Sequence, residues 1–317
     1  MPESRKLGRS DLATPRLVLG GNVFGWNATG EEAFRILDRF AEAGGTMVDT
    51  ADVYSAWVPG HRGGESESLI GEWLRRRGPG HGLLVATKVG MLTGEGGERL
   101  APARIAAAAE ASLKRLGIET IDLYYAHQDD SDTPMEAVLE AFDRLVKAGK
   151  VRTLGASNFT AERLSRALAL AGEMGTPRYE VLQPEYHLLA RDGFESALQP
   201  LCVEEEIGVL PYYGLASGYL TGKYRSEADY GKSVRGGRMA KYVEGRGPQV
   251  LAALDEVAAE ASATPAQVAL AWLAAQPAVA APIASARTPE QIEELIGAME
   301  LELSDSQLAR LDEASRT

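Results

Sequence analysis

Short apolar runs alternate with amphipathic stretches eight times along this chain, and that rhythm constrains the fold more than any other feature. The runs are 17–21 (LVLGG), 46–51 (TMVDTA), 83–89 (LLVATKV), 121–127 (IDLYYAH), 150–157 (KVRTLGAS), 180–186 (EVLQPEY), 208–213 (GVLPYY) and 278–285 (AVAAPIAS). Their continuous apolar character is what strands covered on both faces show. Between them, segments such as 31–44, 66–77, 102–117, 134–149, 160–172, 194–206, 265–276 and 289–299 carry helical patterns, several stopped by glycine. Regular strand–helix alternation predicts parallel strands joined by right-handed crossovers. Eight such units in 317 residues predict an α/β chain folded as one (β/α)8 TIM barrel domain over 1–317. The segment 5–14, with Gly8 near its turn, reads as a β-hairpin plug for the closed end, and two extra helices fit 248–262 and 304–315.

Composition removes other classes. No run approaches the roughly 20 apolar residues of a membrane span, and the first residues lack a signal-peptide core, so a cytoplasmic protein with no membrane partner is expected. A single cysteine, Cys202, excludes an internal disulfide framework and the usual zinc clusters. A net charge of −12 argues against a nucleic-acid-binding surface. Oligomeric state is not readable from the chain.

The chemistry lies just past three successive strands. DTADVY (49–54), the Lys of ATKV (86–89) and the His of DLYYAH (122–127) place Asp49, Tyr54, Lys88 and His127 at the C-terminal strand ends. That end of a TIM barrel carries its chemistry. A phenol near pKa 10 is a poor acid at neutral pH. A lysine ammonium beside it stabilises the phenolate and is expected to bring that pKa toward working pH. Asp49 would hold Lys88 charged and in place, and His127, as a neutral or protonated imidazole, would orient a substrate oxygen. The set fits a proton-donating tyrosine facing a carbonyl.

Two other motifs fall short. GGNVFG (20–25) follows a strand, but its spacing departs from the G-x-G-x-x-G dinucleotide fingerprint. Tyr219 and Lys223 form Y-x-x-x-K, yet they fall in a loop after the seventh strand instead of on a long helix.

Those four residues, together with GASNF (155–159), LQPEYHLL (182–189) and LASGYLTGKY (215–224), resemble the aldo-keto reductases over essentially the whole chain. The resemblance implies an enzyme that reversibly reduces an aldehyde or ketone with NADP(H), NAD(H) remaining possible. By it, Tyr54 donates the proton, Lys88 tunes it, Asp49 holds the lysine and His127 positions the carbonyl. Ser157, Asn158 and Gln183 match the residues that bind the nicotinamide carboxamide, and Tyr212 matches the aromatic that stacks on the ring. Leu215, Ala216, Ser217 and Lys223 correspond to the pyrophosphate loop, with Arg235 as a further phosphate candidate. Ser285, Arg287, Gln291 and Glu294 fall where the adenosine half binds, and Asn22 joins the cofactor set. Arg287 suits a 2′-phosphate, hence the expected preference for NADP(H).

The chain also departs from the family pattern. Leu295 replaces a frequent Asn after Glu294, and Tyr213-Gly214 stands where many relatives have Ser-Pro, so Tyr213 competes with Tyr212 as the stacking residue. Phe24, Trp26, Trp57 and Tyr213 are expected walls of the substrate pocket, which suggests an apolar or ring-shaped small molecule. The loop 55–64 is longer than a minimal connection, and a long C-terminal substrate loop is not expected. The competing function is a redox-sensing regulatory subunit that binds cofactor and turns over slowly. A metal-dependent barrel enzyme would need clustered His and carboxylate ligands that the strand ends lack, so no metal is expected.

Overall fold

The computed structural model describes residues 3–78, 80–232 and 236–316. Among them are β1 (Arg5–Lys6), β2 (Ala13–Thr14), β3 (Val18–Gly20), β4 (Met47–Asp49) and β5 (Leu84–Val89). β6 (Ile121–Ala126), β7 (Val151–Ser157), β8 (Tyr179–Gln183), β9 (Gly208–Val209) and β10 (Ile283–Ala284) follow. β3 to β10 form one parallel sheet in the order β10-β3-β4-β5-β6-β7-β8-β9. Its two edges then meet. The Val209 N–H donates to the Ala278 carbonyl at 2.9 Å, and the Ala280 N–H to the Val209 carbonyl at 2.9 Å. The result is the anticipated (β/α)8 barrel.

Two apolar layers hold it. Alternate strand residues Val18, Met47, Ala86, Leu123, Tyr125 and Val181 fill the interior, while Leu19, Val48, Val85, Tyr124 and Leu182 face the helices. β1 and β2 pair antiparallel and close the bottom, putting Leu7 and Leu12 into the interior layer. Fully burying each leucine contributes roughly 1.5–3 kcal/mol. Gly8 (φ 62°) makes the turn, and a Cβ there would sit 2.3 Å from the Glu180 carbonyl oxygen, so no larger residue fits.

The helices follow from capping and periodicity. Gly30–Glu42 places Glu31 and Glu32 in its first turn and buries Ala33, Phe34, Ile36, Leu37 and Phe40 along one stripe. It packs beside Pro289–Ile296, whose N-cap Thr288 accepts from the Gln291 N–H and whose first position is proline. That helix carries Gln291 and Glu294 toward the upper rim.

Two expectations change. The last strands are shorter than 208–213 and 278–285, because Pro211 and Pro282 have no N–H for the ladder. Their carbonyls still pair, accepting from Ile283 and Val18 at 2.9 and 3.0 Å. The helix expected over 194–206 divides into Asp192–Glu195 and Leu198–Glu204. Pro200 clashes with a helical carbonyl four residues back, so the helix restarts with the proline in its first turn. The extra helices, Gly247–Ala261 and Asp305–Ser315, pack against each other. Among the described residues no helix is long and apolar enough to cross a membrane.

Candidate active site

The strand ends deliver the four predicted side chains to one point. Lys88, next to last in β5, is fully buried, and its ammonium donates to Asp49 Oδ2 at 2.6 Å, the Thr50 carbonyl at 2.7 Å and Tyr54 Oη at 2.8 Å. Three donors meet three acceptors, as a lysine in a dry site requires. Asp49 is satisfied on its other oxygen by Gln183 Nε2 at 2.8 Å. His127 follows β6, its ring 6.1 Å from that of Tyr54 and edge-on to it.

The electrostatics correct one expectation. Burial, and then the Asp49 charge and hydrogen bond, push the Tyr54 phenol well above its ordinary range instead of toward neutrality. Asp49 stands as close to Lys88 as Tyr54 does and cancels much of the ammonium's field. The phenol is therefore protonated at neutral pH, ready to donate. Lys88 is itself lowered by burial, with Asp49 opposing. Of the two states left open for His127, burial and Lys88 together select the neutral ring.

Tyr54 is positioned by a feature no motif announced. Ser55 adopts φ 71°, the left-handed region that costs a non-glycine residue on the order of 1–2 kcal/mol, and it is fully buried. Its hydroxyl donates to the Phe24 carbonyl at 2.9 Å, tying the Tyr54 loop to the loop after β3. A second tie runs from Asp52 to Arg104 Nη2 at 2.9 Å, and Arg104 Nη1 donates to the Glu95 carbonyl at 3.3 Å. Ser55→Gly relieves the backbone strain but removes the tie, and is expected to lower kcat about tenfold with substrate KM nearly unchanged. Unchanged kcat in a folded Ser55→Gly protein would show that the tie does not position Tyr54.

A cleft of about 710 Å³ opens over Tyr54 and His127 and runs toward the loops after β9 and β10. Among the described residues no group of three His, Cys, Asp or Glu side chains could hold a metal ion. The aldo/keto reductase family model matches residues 16–316. The chain belongs to the aldo/keto reductase family.

Relatives agree along nearly the full length. The chain is 33% identical over 309 residues to an aldo-keto reductase of Strobilurus tenacellus, covering 96% of this chain and 87% of the relative. It is 31% identical over 323 residues to an NADP(+) aldo-keto reductase of Schizosaccharomyces pombe, covering 98% and 91%. It is also 32% identical over 327 residues to a putative voltage-gated potassium channel subunit beta of the same yeast, covering 98% and 92%.

In this aldo/keto reductase family protein the other candidate residues separate into those that line the cleft and those that do not. Ser157, Asn158, Gln183 and Tyr212 line it beside Asp49, Tyr54 and His127, with Lys88 buried beneath. Ser157 Oγ donates to the Gln183 carbonyl at 2.8 Å. Asn158, left-handed at φ 56°, donates through Nδ2 to the His127 carbonyl at 2.8 Å and accepts from the Tyr212 hydroxyl at 2.9 Å. Further along, Ser285 Oγ donates to Asn22 Oδ1 at 2.5 Å. Leu215, Ser217 and Lys223 line the cleft from one loop, Arg287 from another, and Gln291 and Glu294 from the helix that follows it. Ala216 is fully buried in the core and does not line the cleft. Arg235 lies outside the described residues.

The proposed walls divide as well. Trp57 and Tyr213 line the cleft, and Trp26 stands behind Trp57 at 5.7 Å, edge to face. Phe24 is not a wall: the turn at Gly25 (φ 74°) sends it into the core, where it is fully buried. Tyr212 is half-buried with its hydroxyl anchored on Asn158, whereas Tyr213 is exposed, edge-on to it at 5.1 Å. Met91, Val53, Asn27 and Thr221 also line the cleft and were missed. Met91 follows Lys88 by three residues, and its place just past a strand end was the one available signal.

Proposed function

We propose that this protein reduces an aldehyde or ketone with a nicotinamide dinucleotide, reversibly, with Tyr54 as the proton donor, acting as a single barrel in the cytoplasm. The observation that carries this is the 2.8 Å contact between the buried Lys88 ammonium and Tyr54 Oη, on the floor of a long cleft. The residues present fit the dinucleotide. Ser157, Asn158 and Gln183 cluster beside the four central residues with amide and hydroxyl groups of both hydrogen-bonding senses. Left-handed Ala216, Ser217 and Gly218 curl the next loop along the cleft, and a Cβ on Gly218 would come within 3.2 Å of Lys223 Nζ. The dinucleotide, when bound, would supply the hydride.

The chain's own residues do the rest. A His127 ring N–H faces the carbonyl oxygen and polarises it. Tyr54 passes its phenolic proton to that oxygen as negative charge gathers there, and Lys88 keeps its hydrogen bond on the phenolate oxygen left behind. Asp49 balances the ammonium throughout. Tyr212, held by Asn158, is the favoured stacking surface for the nicotinamide.

NADPH is the preferred cofactor in this reading, on two supports. One relative is an NADP(+) enzyme by name. Arg287 lines the cleft beside the helix Pro289–Ile296 and would pair with a 2′-phosphate bidentately. Arg287→Ala is expected to weaken NADPH binding about 10- to 150-fold and NADH much less, as measured by fluorescence titration with both. Equal losses for the two cofactors would remove Arg287 from the phosphate site. The channel-subunit relative favours a second reading, a redox sensor with slow turnover. Rapid cofactor oxidation with a test aldehyde supports the enzyme, and tight binding without turnover the sensor.

A further inference from the structure

Building on the carbonyl-reduction reading, we infer that this site takes an uncharged substrate with a flat apolar ring system, packed on Trp57 and Met91, and disfavours anionic carbonyl compounds. Four large apolar side chains are strongly exposed among the described residues: Trp57 (50%), Met91 (42%), Tyr213 (41%) and Val203. Three of the four line this one cleft. Single exposed apolar residues are ordinary, but their concentration at one concave mouth marks a binding surface.

The wall stands ready before anything binds. The Trp57 indole meets Trp26 edge to face at 5.7 Å and Tyr54 at 6.2 Å, so a row of rings runs from the mouth to the proton donor. The Ser55–Phe24 hydrogen bond holds the Trp57 loop, and the Asp52–Arg104–Glu95 tie joins it to the loop that carries Met91. A wall fixed in advance loses little side-chain freedom on binding, so its apolar contacts count nearly in full.

Charge points the same way. Among the described lining residues the charged side chains are Asp49, Lys223, Arg287 and Glu294. Asp49 is paired with Lys88. The other three come from the loop after β9 and from the loop and helix after β10, which β3 separates from β4 and β5. Val53, Trp57 and Met91 have no cation beside them in the lining, so a carboxylate or phosphate would leave water there without a partner. The chain's net charge of −12 offers no long-range attraction either.

The test measures kcat/KM for the full chain with NADPH and with NADH against benzaldehyde, 2-naphthaldehyde and 4-carboxybenzaldehyde. These differ by one fused ring or one charge at nearly constant reactivity. Expected are a preference of about tenfold or more for 2-naphthaldehyde over benzaldehyde, expressed in KM, and a similar penalty for the carboxylate. Trp57→Ala should bring the naphthyl-to-benzyl ratio toward one, and Trp57→Lys should raise the carboxylate relative to benzaldehyde. Met91→Ala provides the second variant should circular dichroism show Trp57→Ala unfolded. Equal or better use of 4-carboxybenzaldehyde overturns the inference while leaving carbonyl reduction intact. So does a ring preference that survives both alanine variants. No turnover of any of the three overturns this inference, and a small aliphatic aldehyde in the same assay separates the two failures: its reduction keeps the carbonyl-reduction reading, and its inertness removes that reading too.

Discussion

Replacing Tyr54 with Phe is expected to lower carbonyl reduction by about 10²–10⁴-fold while leaving the fold and cofactor binding in place, the usual worth of a positioned proton donor. The ring survives in Phe, so its contacts with Trp57 and His127 persist and only the hydroxyl, with its hydrogen bonds to Lys88 and Asp49, is lost. Steady-state reduction and cofactor fluorescence quenching, measured side by side, decide it. Near-wild-type turnover with intact binding removes Tyr54 as the acid. The raised phenol pKa adds a pH signature. A group titrating above its ordinary value of about 10 stays protonated through neutrality. Wild-type reduction should therefore hold level from about pH 6 to 9 and fall only as pH rises through the raised pKa. Alcohol oxidation, which needs the phenolate, should climb over the same range.

Lys88→Met is expected to abolish most activity and also to destabilise the protein by about 3–5 kcal/mol, because it leaves Asp49 as a buried charge without its partner. Only neutral donors remain on that carboxylate, Gln183 Nε2 at 2.8 Å and the Tyr54 hydroxyl at 3.4 Å. The two effects separate in the double variant. Lys88→Met with Asp49→Asn removes the lone charge and should recover much of the stability with none of the activity. Thermal unfolding and kcat/KM on the three proteins provide the comparison. If Lys88→Met keeps both wild-type stability and rate, the buried ammonium has neither role.

The barrel was legible because the eight apolar runs are short and unalternating, a pattern that parallel strands under helices impose. The central four residues were legible because they sit within one or a few positions of strand ends, where register fixes location. What failed to show depended on backbone turns that single residues set. Phe24 and Trp26 are two residues apart and equally aromatic, and the left-handed Gly25 between them decides that one enters the core. Ser55 gave no sign of its left-handed conformation, since serine in that region is uncommon and its hydroxyl's partner is 31 residues away. The direction of the Tyr54 shift was misjudged for a related reason. The sequence placed Lys88 beside the phenol but gave no distance from Asp49 to either.

The plug at the bottom of the barrel bears on how the chain comes off the ribosome. Gly8 rests against the backbone of Glu180 and Gly208, and Arg5 donates to the carbonyls of Ala274 and Val279. The hairpin thus has no seat until Gly208 has been made, and no complete seat until Val279 has. Until then Leu7 and Leu12 lack the interior residues they pack against in the finished barrel. The hairpin and the final strand therefore depend on each other: neither end of the barrel's seam is complete without the segment 274 residues away that closes it.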